Sequence, residues 1–153
     1  DTWRKEDTLT HNGKGTPVAV TGMTWSGFRP SDDACRYGYL IPSNMFAVVA
    51  LSYLETLYTE LFKDSTTANK AARLKADIER GIANHALVTN GKGKTIYAYE
   101  VDGFGNQLFI DDANVPSLLS LPYLEALSKN DEIYLNNINH IIKYNCHKYK
   151  NDK

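Results

Sequence analysis

Hydrophobic residues recur at helical spacing in three stretches of the chain. From Ser43 onward, apolar side chains return every three or four positions, which predicts a helix over residues 43–63 with Ser43 as its N-cap. A second apolar stripe predicts a helix over residues 65–88; its members are Ala71, Leu74, Ile78 and Ile82. The same spacing predicts a last helix over residues 131–145. Because a short polar link joins the first two helices, we expect them to pack as an antiparallel pair.

The segment between these helices follows a different pattern. Residues 91–110 hold β-favouring side chains on both sides of the turn sequence DGFGN, which predicts a small β-hairpin. After this hairpin, Asn114 is predicted to cap a further helix that carries Pro116 in its first turn. This helix is expected to kink or restart near Pro122.

The first 42 residues are predicted to lack long regular elements. Residues 1–17 are polar and glycine-rich and indicate a surface lead-in, whereas glycines and prolines in residues 18–42 predict an irregular loop whose aromatic side chains pack. The predicted order is therefore loop, helix, helix, hairpin, helix, helix. That order argues against a parallel sheet and favours an all-α array of helical hairpins, whose loops line a shared cavity.

Composition and charge narrow the classes of partner. The 153 residues are 42% hydrophobic and 23% charged, which argues against disordered, collagen-like and coiled-coil proteins. A formal net charge of -1 provides no field that would attract nucleic acid or an anionic membrane. No apolar run reaches the roughly 20 residues of a membrane span. Cys35 and Cys146 form no disulfide framework, and free thiols or cysteine partners outside the chain are preferred to a bond between the two.

Two Asp-Asp-Ala sequences carry the candidate chemistry. Asp32 and Asp33 lie in TWSGFRPSDDACRYGY, residues 24–39, between aromatic residues and arginines. Ser31 followed by two aspartates is typical of the start of a short helical turn, where the side chains cap free N–H groups. Flat aromatic faces beside carboxylates also suit a sugar, whose C–H faces stack on rings while its hydroxyls accept and donate hydrogen bonds. Both interpretations remain open on the pattern alone.

The second doublet, Asp111 and Asp112, follows the predicted hairpin and precedes Asn114, so that capping and functional roles are equally favoured. Neither doublet has the alternating acidic spacing of a calcium loop, so a metal site is disfavoured. The glycines of DGFGN precede no phosphate-binding helix, and the histidines are scattered. We therefore expect no cofactor.

Two long blocks carry a family resemblance. TGMTWSGFRPSDDACRYGYLIPSNMFAVVAL (residues 21–51) and FIDDANVPSLLSLPYL (residues 109–124) closely resemble the central signature blocks of glycoside hydrolase family 125. The members of this family are exo-acting α-1,6-mannosidases that invert anomeric configuration. The resemblance implies an (α/α)6 barrel, a toroid of helical hairpins, here with a small β-hairpin insertion. Such barrels are several hundred residues long, so residues 1–153 are expected to form a single partial domain from the middle of the catalytic domain.

The resemblance also implies roles for individual residues. It places the general acid in the block Ser31-Asp32-Asp33, and the acid pattern of other (α/α)6 glycosidases favours Asp32, with Asp33 second. The substrate-binding residues that it implies are Trp25, Ser26, Arg29, Arg36, Tyr37, Asp111, Asp112 and Asn114. The implied partner is a mannose-containing oligosaccharide or N-glycan.

One part of the family pattern is missing from the chain. An inverting glycosidase needs a second carboxylate as base, about 6.5 to 9.5 Å from the acid. The family's base resembles a glutamate near the carboxyl end, which this chain does not contain, so the isolated chain is expected to be inactive. Two alternatives stay open, another (α/α)6 carbohydrate-active enzyme and a non-catalytic helical binding module. Localisation is also open, with the secretory pathway or the extracellular space as options for the parent protein.

Overall fold

The computed structural model describes residues 7–112 and 114–151, with side chains described as far as Lys143. Its elements in chain order are α1 (Thr10–Gly13), β1 (Tyr39–Leu40), α2 (Ile41–Glu60), α3 (Ser65–His85), β2 (Leu87–Thr89), β3 (Thr95–Tyr97), β4 (Glu100–Val101), β5 (Gln107–Leu108) and α4 (Glu132–Asn151). The fold is therefore helix-rich with small sheets. The prediction of helices with a small β-hairpin insertion is confirmed in part, because the chain forms more β-structure than one hairpin.

The predicted helical pair is present as α2 and α3. Asp64 caps α3, because its carboxylate accepts hydrogen bonds from the backbone N–H groups of Thr66 (3.0 Å) and Thr67 (3.2 Å). Helix α2 begins at Ile41 and carries a proline in its first turn, so the prediction that Ser43 caps it is wrong. Most of the predicted stripe on α3 is buried, although Leu74 remains 44% exposed.

The predicted hairpin is in fact two hairpins. Strands β2 and β3 pair first, so Leu87 and Val88 belong to a strand and not to the end of α3. Strands β4 and β5 then pair around the DGFGN turn. Strand β1 pairs antiparallel with β4, with Leu40 opposite Glu100, and completes a three-stranded sheet in the order β1-β4-β5. This sheet joins the start of α2 to a segment about sixty residues further along the chain.

The helix predicted from Asn114 does not form. Residues 117–127 make a series of turns, and the Asp111 carboxylate accepts the backbone N–H groups of Leu118 (2.7 Å) and Leu119 (3.0 Å). These bonds satisfy donors that a helix would leave free at its start, while Pro116 and Pro122 lack an N–H. The last helix is confirmed as α4, whose first turn is capped by Asp131 through the N–H of Tyr134 (2.9 Å).

One hydrophobic core joins the helices to the three-stranded sheet. Its completely or almost completely buried members include Leu40, Ile41, Ile78, Tyr99 and Leu121. Tyr99 and its neighbours thus fix the sheet against α2 and α3. Among the helices described, none is long and apolar enough to cross a membrane.

A buried amide ties the first turn of α2 to the loop that precedes β1. Asn44 is fully buried, and its Oδ1 accepts hydrogen bonds from the N–H (2.7 Å) and the hydroxyl (3.0 Å) of Thr24. Its Nδ2 donates to the carbonyls of Thr24 (3.1 Å) and Leu40 (2.9 Å). One side chain therefore satisfies polar groups of Thr24 and of Leu40 and links the loop before β1 to α2.

Replacing this amide should weaken the fold measurably. Asn44→Ala leaves the carbonyl of the buried Leu40 and the polar groups of Thr24 without their amide partner, so the free energy of unfolding should fall by about 1–3 kcal/mol. Urea denaturation followed by circular dichroism measures the change. The matched control is Asn69→Ala, an exposed asparagine of α3, which should shift the value by no more than about 0.5 kcal/mol. Equal effects of the two substitutions would contradict the assignment.

Candidate active site

The first acidic doublet lies in an irregular hairpin, which we call the acidic hairpin (residues 26–38). Its two sides are joined by backbone hydrogen bonds from Ser26 N to Gly38 O (2.8 Å), from Cys35 N to Gly27 O (2.8 Å) and from Arg29 N to Asp33 O (2.8 Å). The helical turn that Ser31, Asp32 and Asp33 were predicted to start is absent. The hairpin leads directly into β1, so the core fixes its base.

Asp32 occupies the tip of the acidic hairpin. Its N–H donates to the carbonyl of Arg29 (3.0 Å), and its φ of 66° places it in the left-handed region. A left-handed third residue is typical of three-residue hairpin loops, and aspartate tolerates this conformation better than most residues. Within the described residues, its carboxylate is exposed and makes no hydrogen bond or ion pair.

A buried carboxylate lies beneath the acidic hairpin. Glu100 of β4 is fully buried, and its carboxylate accepts hydrogen bonds from Arg29 Nε (2.6 Å) and from the backbone N–H groups of Arg36 (2.8 Å) and Tyr37 (2.9 Å). Two of the three donors are backbone groups of the hairpin side that follows its tip. Glu100 therefore fixes the course of the chain on that side and the position of one arginine.

Arg29 links Glu100 to the acidic doublet. Its Nη1 lies 3.8 Å from the Asp33 carboxylate, which is 45% exposed, and its guanidinium lies over the Tyr99 ring at 5.9 Å from the centroid. Burial alone would lower the pKa of Arg29, but the hydrogen bond and the charge of Glu100 outweigh it and raise the pKa. Arg29 thus remains a fixed positive charge beside Asp33.

Trp25 forms an aromatic surface supported by glycines. A Cβ atom placed on Gly38 would lie 2.3 Å from the indole Nε1, and one on Gly15 or Gly27 would lie 2.9 Å or 3.1 Å from the ring. Three glycines therefore let the backbone approach the indole closely, which a side chain would prevent. The residue is nevertheless 47% exposed, so part of the ring faces solvent.

The other predicted binding residues of the first block lie close by. Arg36 is exposed, with its guanidinium 5.6 Å from the centroid of the half-buried Tyr37 ring, and Ser26 is half-buried at the start of the acidic hairpin. These three residues and Trp25 belong to the same hairpin or to the residue before it. The structure therefore groups the predicted residues of the first block around one loop.

The carboxylates of the second doublet bind the backbone of their own loop. Asp111 accepts two N–H groups from the turn that follows, and Asp112 accepts the N–H of the exposed Asn114 (3.0 Å). Burial raises the pKa of Asp111 to about 6, although its hydrogen bonds act in the opposite direction. Ala113 lies outside the described residues.

Charged groups of both blocks influence the hydroxyl of Tyr99. Burial raises the pKa of its hydroxyl, and the negative charges of Asp112 and Asp111 raise it further, while Arg29 lowers it. Arg29 of the first block and both aspartates of the second therefore lie within electrostatic range of this hydroxyl. The buried hydroxyl has no hydrogen-bond partner among the described residues.

The described residues offer neither a disulfide nor a metal centre to this neighbourhood. Cys35 is a buried free thiol, and burial followed by the charge of Glu100 raises its pKa to about 12, so it remains protonated. The side chain of Cys146 lies outside the described residues. No group of three histidine, cysteine or acidic side chains that could hold a metal ion occurs in the described part of the chain.

Sequence reasoning did not identify Glu100. The segment TIYAYEVD was interpreted only as a strand, because Ile96, Tyr97, Tyr99 and Val101 favour β-structure. An acidic residue inside an otherwise apolar run is a detectable signal, since a buried carboxylate requires partners. The sequence does not show which donors it meets, because the nearest of them, Tyr37, lies 63 residues earlier.

Comparison with known proteins identifies a family and similar proteins for the chain. The family model described as metal-independent alpha-mannosidase (GH125) matches residues 1–151. The chain is 45% identical over 131 residues to the Meiotically up-regulated gene 157 protein of Schizosaccharomyces pombe, a match that covers 85% of the chain and 26% of that protein. The chain thus spans about a quarter of this curated relative's length.

A solved structure is similar over most of the chain. It comes from a Streptococcus pneumoniae protein described as a metal-independent alpha mannosidase in a non-productive substrate complex with alpha-1,6-mannobiose. The two share 53% sequence identity with a TM-score of 0.90, and the match covers 93% of this chain and 34% of that chain. At this identity, the likeness extends beyond the general fold to side chains.

The support beneath Trp25 can be tested by adding one methyl group. Gly38→Ala should displace the indole, shift its fluorescence to longer wavelength and lower the free energy of unfolding by about 1–3 kcal/mol. The measurement uses a Trp3→Phe background, which leaves one of the two tryptophans. Gly91→Ala is the matched control, because a Cβ there meets no atom within 4 Å. An unchanged Trp25 emission in Gly38→Ala would refute the close contact.

The raised pKa of Asp111 predicts a pH dependence of stability. Between pH 3.8 and about 6 the folded chain keeps a proton that the unfolded chain has lost, so stability should fall as pH rises through this window. The total change is at most about 3 kcal/mol. Asp111→Asn should remove this part of the slope while lowering stability at every pH, because one backbone N–H loses its acceptor. Parallel stability curves for the two proteins from urea denaturation would contradict the prediction.

Proposed function

Because the chain belongs to the metal-independent alpha-mannosidase family (GH125), we propose that the complete protein of which it forms part is an exo-acting mannosidase. It removes terminal α-1,6-linked mannose from the non-reducing ends of a mannose-containing oligosaccharide or N-glycan, with inversion of configuration. The observation that carries this proposal is the 53% identity over 93% of the chain to an alpha mannosidase whose structure holds alpha-1,6-mannobiose. The proposal concerns the complete protein, since the chain spans about a third of that solved chain.

The proposed architecture is part of an (α/α)6 barrel, with residues 1–153 contributing a single partial domain. The surface of α2 supports this proposal, because several large apolar side chains on it are solvent-exposed. They are Phe46 (41%), Tyr53 (59%), Leu54 (42%) and Leu57 (40%). A helix that is apolar on all sides belongs inside a larger core, so we propose that further helices pack on this surface.

Asp32 is the proposed general acid, which protonates the oxygen of the departing sugar. Its exposed carboxylate lies at the tip of the acidic hairpin and has no partner among the described residues. Such a group remains available to the substrate. Asp33, with Arg29 at 3.8 Å, orients the substrate or binds its hydroxyls, and it is the second candidate for the acid.

The sugar-binding surface is proposed to surround this acid. Trp25 and Tyr37 present aromatic faces that stack on sugar C–H groups, whereas Ser26 and Arg36 offer hydrogen bonds from the same hairpin. From the second block we assign Asp111, Asp112 and Asn114 to this surface. Each carboxylate oxygen can accept more than one hydrogen bond, so the backbone contacts of Asp111 leave acceptor capacity for a hydroxyl.

We assign the catalytic base to a residue outside this chain. An inverting mechanism needs a carboxylate that activates water on the opposite face of the sugar. Asp111 and Asp112 are assigned to the sugar-binding surface and not to this role. This assignment leads to the expectation that the isolated chain does not hydrolyse mannosides.

The role of Asp32 can be tested with two substrates in the complete protein. Asp32→Asn should keep the hairpin, since asparagine also tolerates the left-handed conformation. It should slow hydrolysis of α-1,6-mannobiose by about 10³-fold. Hydrolysis of α-mannosyl fluoride should fall much less, because fluoride leaves without protonation. Asp33→Asn is the matched variant, and release of glucose from the corresponding glucosides tests specificity.

The outcomes separate the alternatives. If Asp33→Asn, and not Asp32→Asn, slows the hydrolysis of α-1,6-mannobiose without slowing that of α-mannosyl fluoride, the acid is Asp33. Equal losses on both substrates in Asp32→Asn exclude it as the acid. Cleavage of glucosides in preference to mannosides, or no hydrolysis of any glycoside by the unmodified protein, overturns the proposed function.

A further inference from the structure

Glu100 is a completely buried charged residue of strand β4. All its hydrogen-bond partners belong to the acidic hairpin. An ionised carboxylate in such a place is stable only if donors surround it. Two of its donors, the N–H groups of Arg36 and Tyr37, belong to the hairpin backbone. The third donor, Arg29, is a charged side chain.

Arg29 contacts both Glu100 and Asp33 of the acidic doublet. Its Nε is 2.6 Å from the Glu100 carboxylate, and its Nη1 is 3.8 Å from that of Asp33. The titratable groups whose charges act on it are Glu100, Tyr99 and Cys35, in addition to Asp33. With Tyr99 and Cys35 protonated, two carboxylates share one guanidinium.

We infer that Glu100 is a positioning residue of the mannosidase reaction, which fixes Arg29 beneath the acidic hairpin and balances its charge next to Asp33. This inference rests on the proposed function. Glu100 touches no substrate in this arrangement and acts through Arg29. Its effect on the reaction has two parts, the orientation of the doublet and the local electric field at its carboxylates.

The electric field gives the inference a signature that structural support alone does not have. If Glu100 is neutralised, the charge of Arg29 is no longer balanced and favours ionised carboxylates beside it. A general acid in the doublet then loses its proton at lower pH. The alkaline limb of the kcat/KM profile should therefore move to lower pH, whereas a loosened hairpin would lower the rate equally at every pH.

The test uses two variants of the complete protein on α-1,6-mannobiose. Glu100→Gln keeps the shape but removes the charge, so kcat should fall by about 100-fold with little change in KM, and the alkaline limb should move by about one pH unit. Glu100→Asp keeps the charge, so its limb should stay at the pH of the unmodified protein even where a shorter side chain lowers kcat. Glu100→Asp also decides the question if Glu100→Gln does not fold.

Two controls isolate the path through Arg29. Glu55→Gln breaks the partly buried ion pair between Glu55 and Lys75 on the helical pair, away from the acidic hairpin, and should leave both kcat and the alkaline limb unchanged. In an Arg29→Gln background, Glu100→Gln should cause little additional loss, because the two side chains act as one unit. Additive losses in the double variant would overturn the inference.

A spectroscopic measurement separates the inference from the proposed function. The Nε–H of Arg29 should give a resolved, slowly exchanging signal in a proton–nitrogen NMR spectrum, which Glu100→Gln removes and Glu55→Gln keeps. If the unmodified protein cleaves no mannoside while this signal behaves as expected, the proposed function fails although Glu100 fixes Arg29. The positioning role of Glu100 is overturned if the alkaline limb of Glu100→Gln stays at the pH of the unmodified protein. It is also overturned if Glu100→Gln leaves the Arg29 Nε–H signal unchanged.

Discussion

A carboxylate without solvent contact must find its hydrogen-bond donors inside the protein, and Glu100 finds all three in the acidic hairpin. Strand β4 carries this carboxylate, and the pairing of β4 with β1 places it beneath a loop whose own backbone bonds are few. The donors cannot leave without exposing a buried charge to an apolar core. The irregular segment before β1 is therefore held by the sheet, and the candidate chemistry at its tip depends on this constraint.

The acidic doublet divides its tasks between neighbouring residues. Asp33 accepts the hairpin bond through its backbone and lies beside Arg29, whereas Asp32 provides the left-handed turn and leaves its carboxylate exposed. Capping and chemistry were alternatives when only the sequence was considered. In the structure the turn is closed by main-chain groups, so no carboxylate of the doublet is needed to cap it. A side chain that does not stabilise its own loop is available for a substrate.

The sequence predicted the elements that depend on local spacing. Helices α2, α3 and α4 follow from apolar periodicity, and the resemblance of two blocks to GH125 agrees with the family match. Residues 117–127 form turns and not the helix expected from Asn114, and the Asp111 carboxylate accepts the backbone N–H of Leu118, seven residues further along the chain. The hydrogen-bond donors of Glu100 lie 63 to 71 residues before it and were missed. The spacing of residues within one segment specifies neither contact.

The glycines around Trp25 show how the same limitation applies to a binding surface. Each of Gly15, Gly27 and Gly38 is a turn residue by local rules, but together they allow the backbone to approach one indole. Packing holds one part of the ring, and the other part stays open because no larger side chain covers it. A ring that is already held in place loses little conformational entropy when a ligand stacks on it, so the glycines would favour the sugar contact that we propose for Trp25.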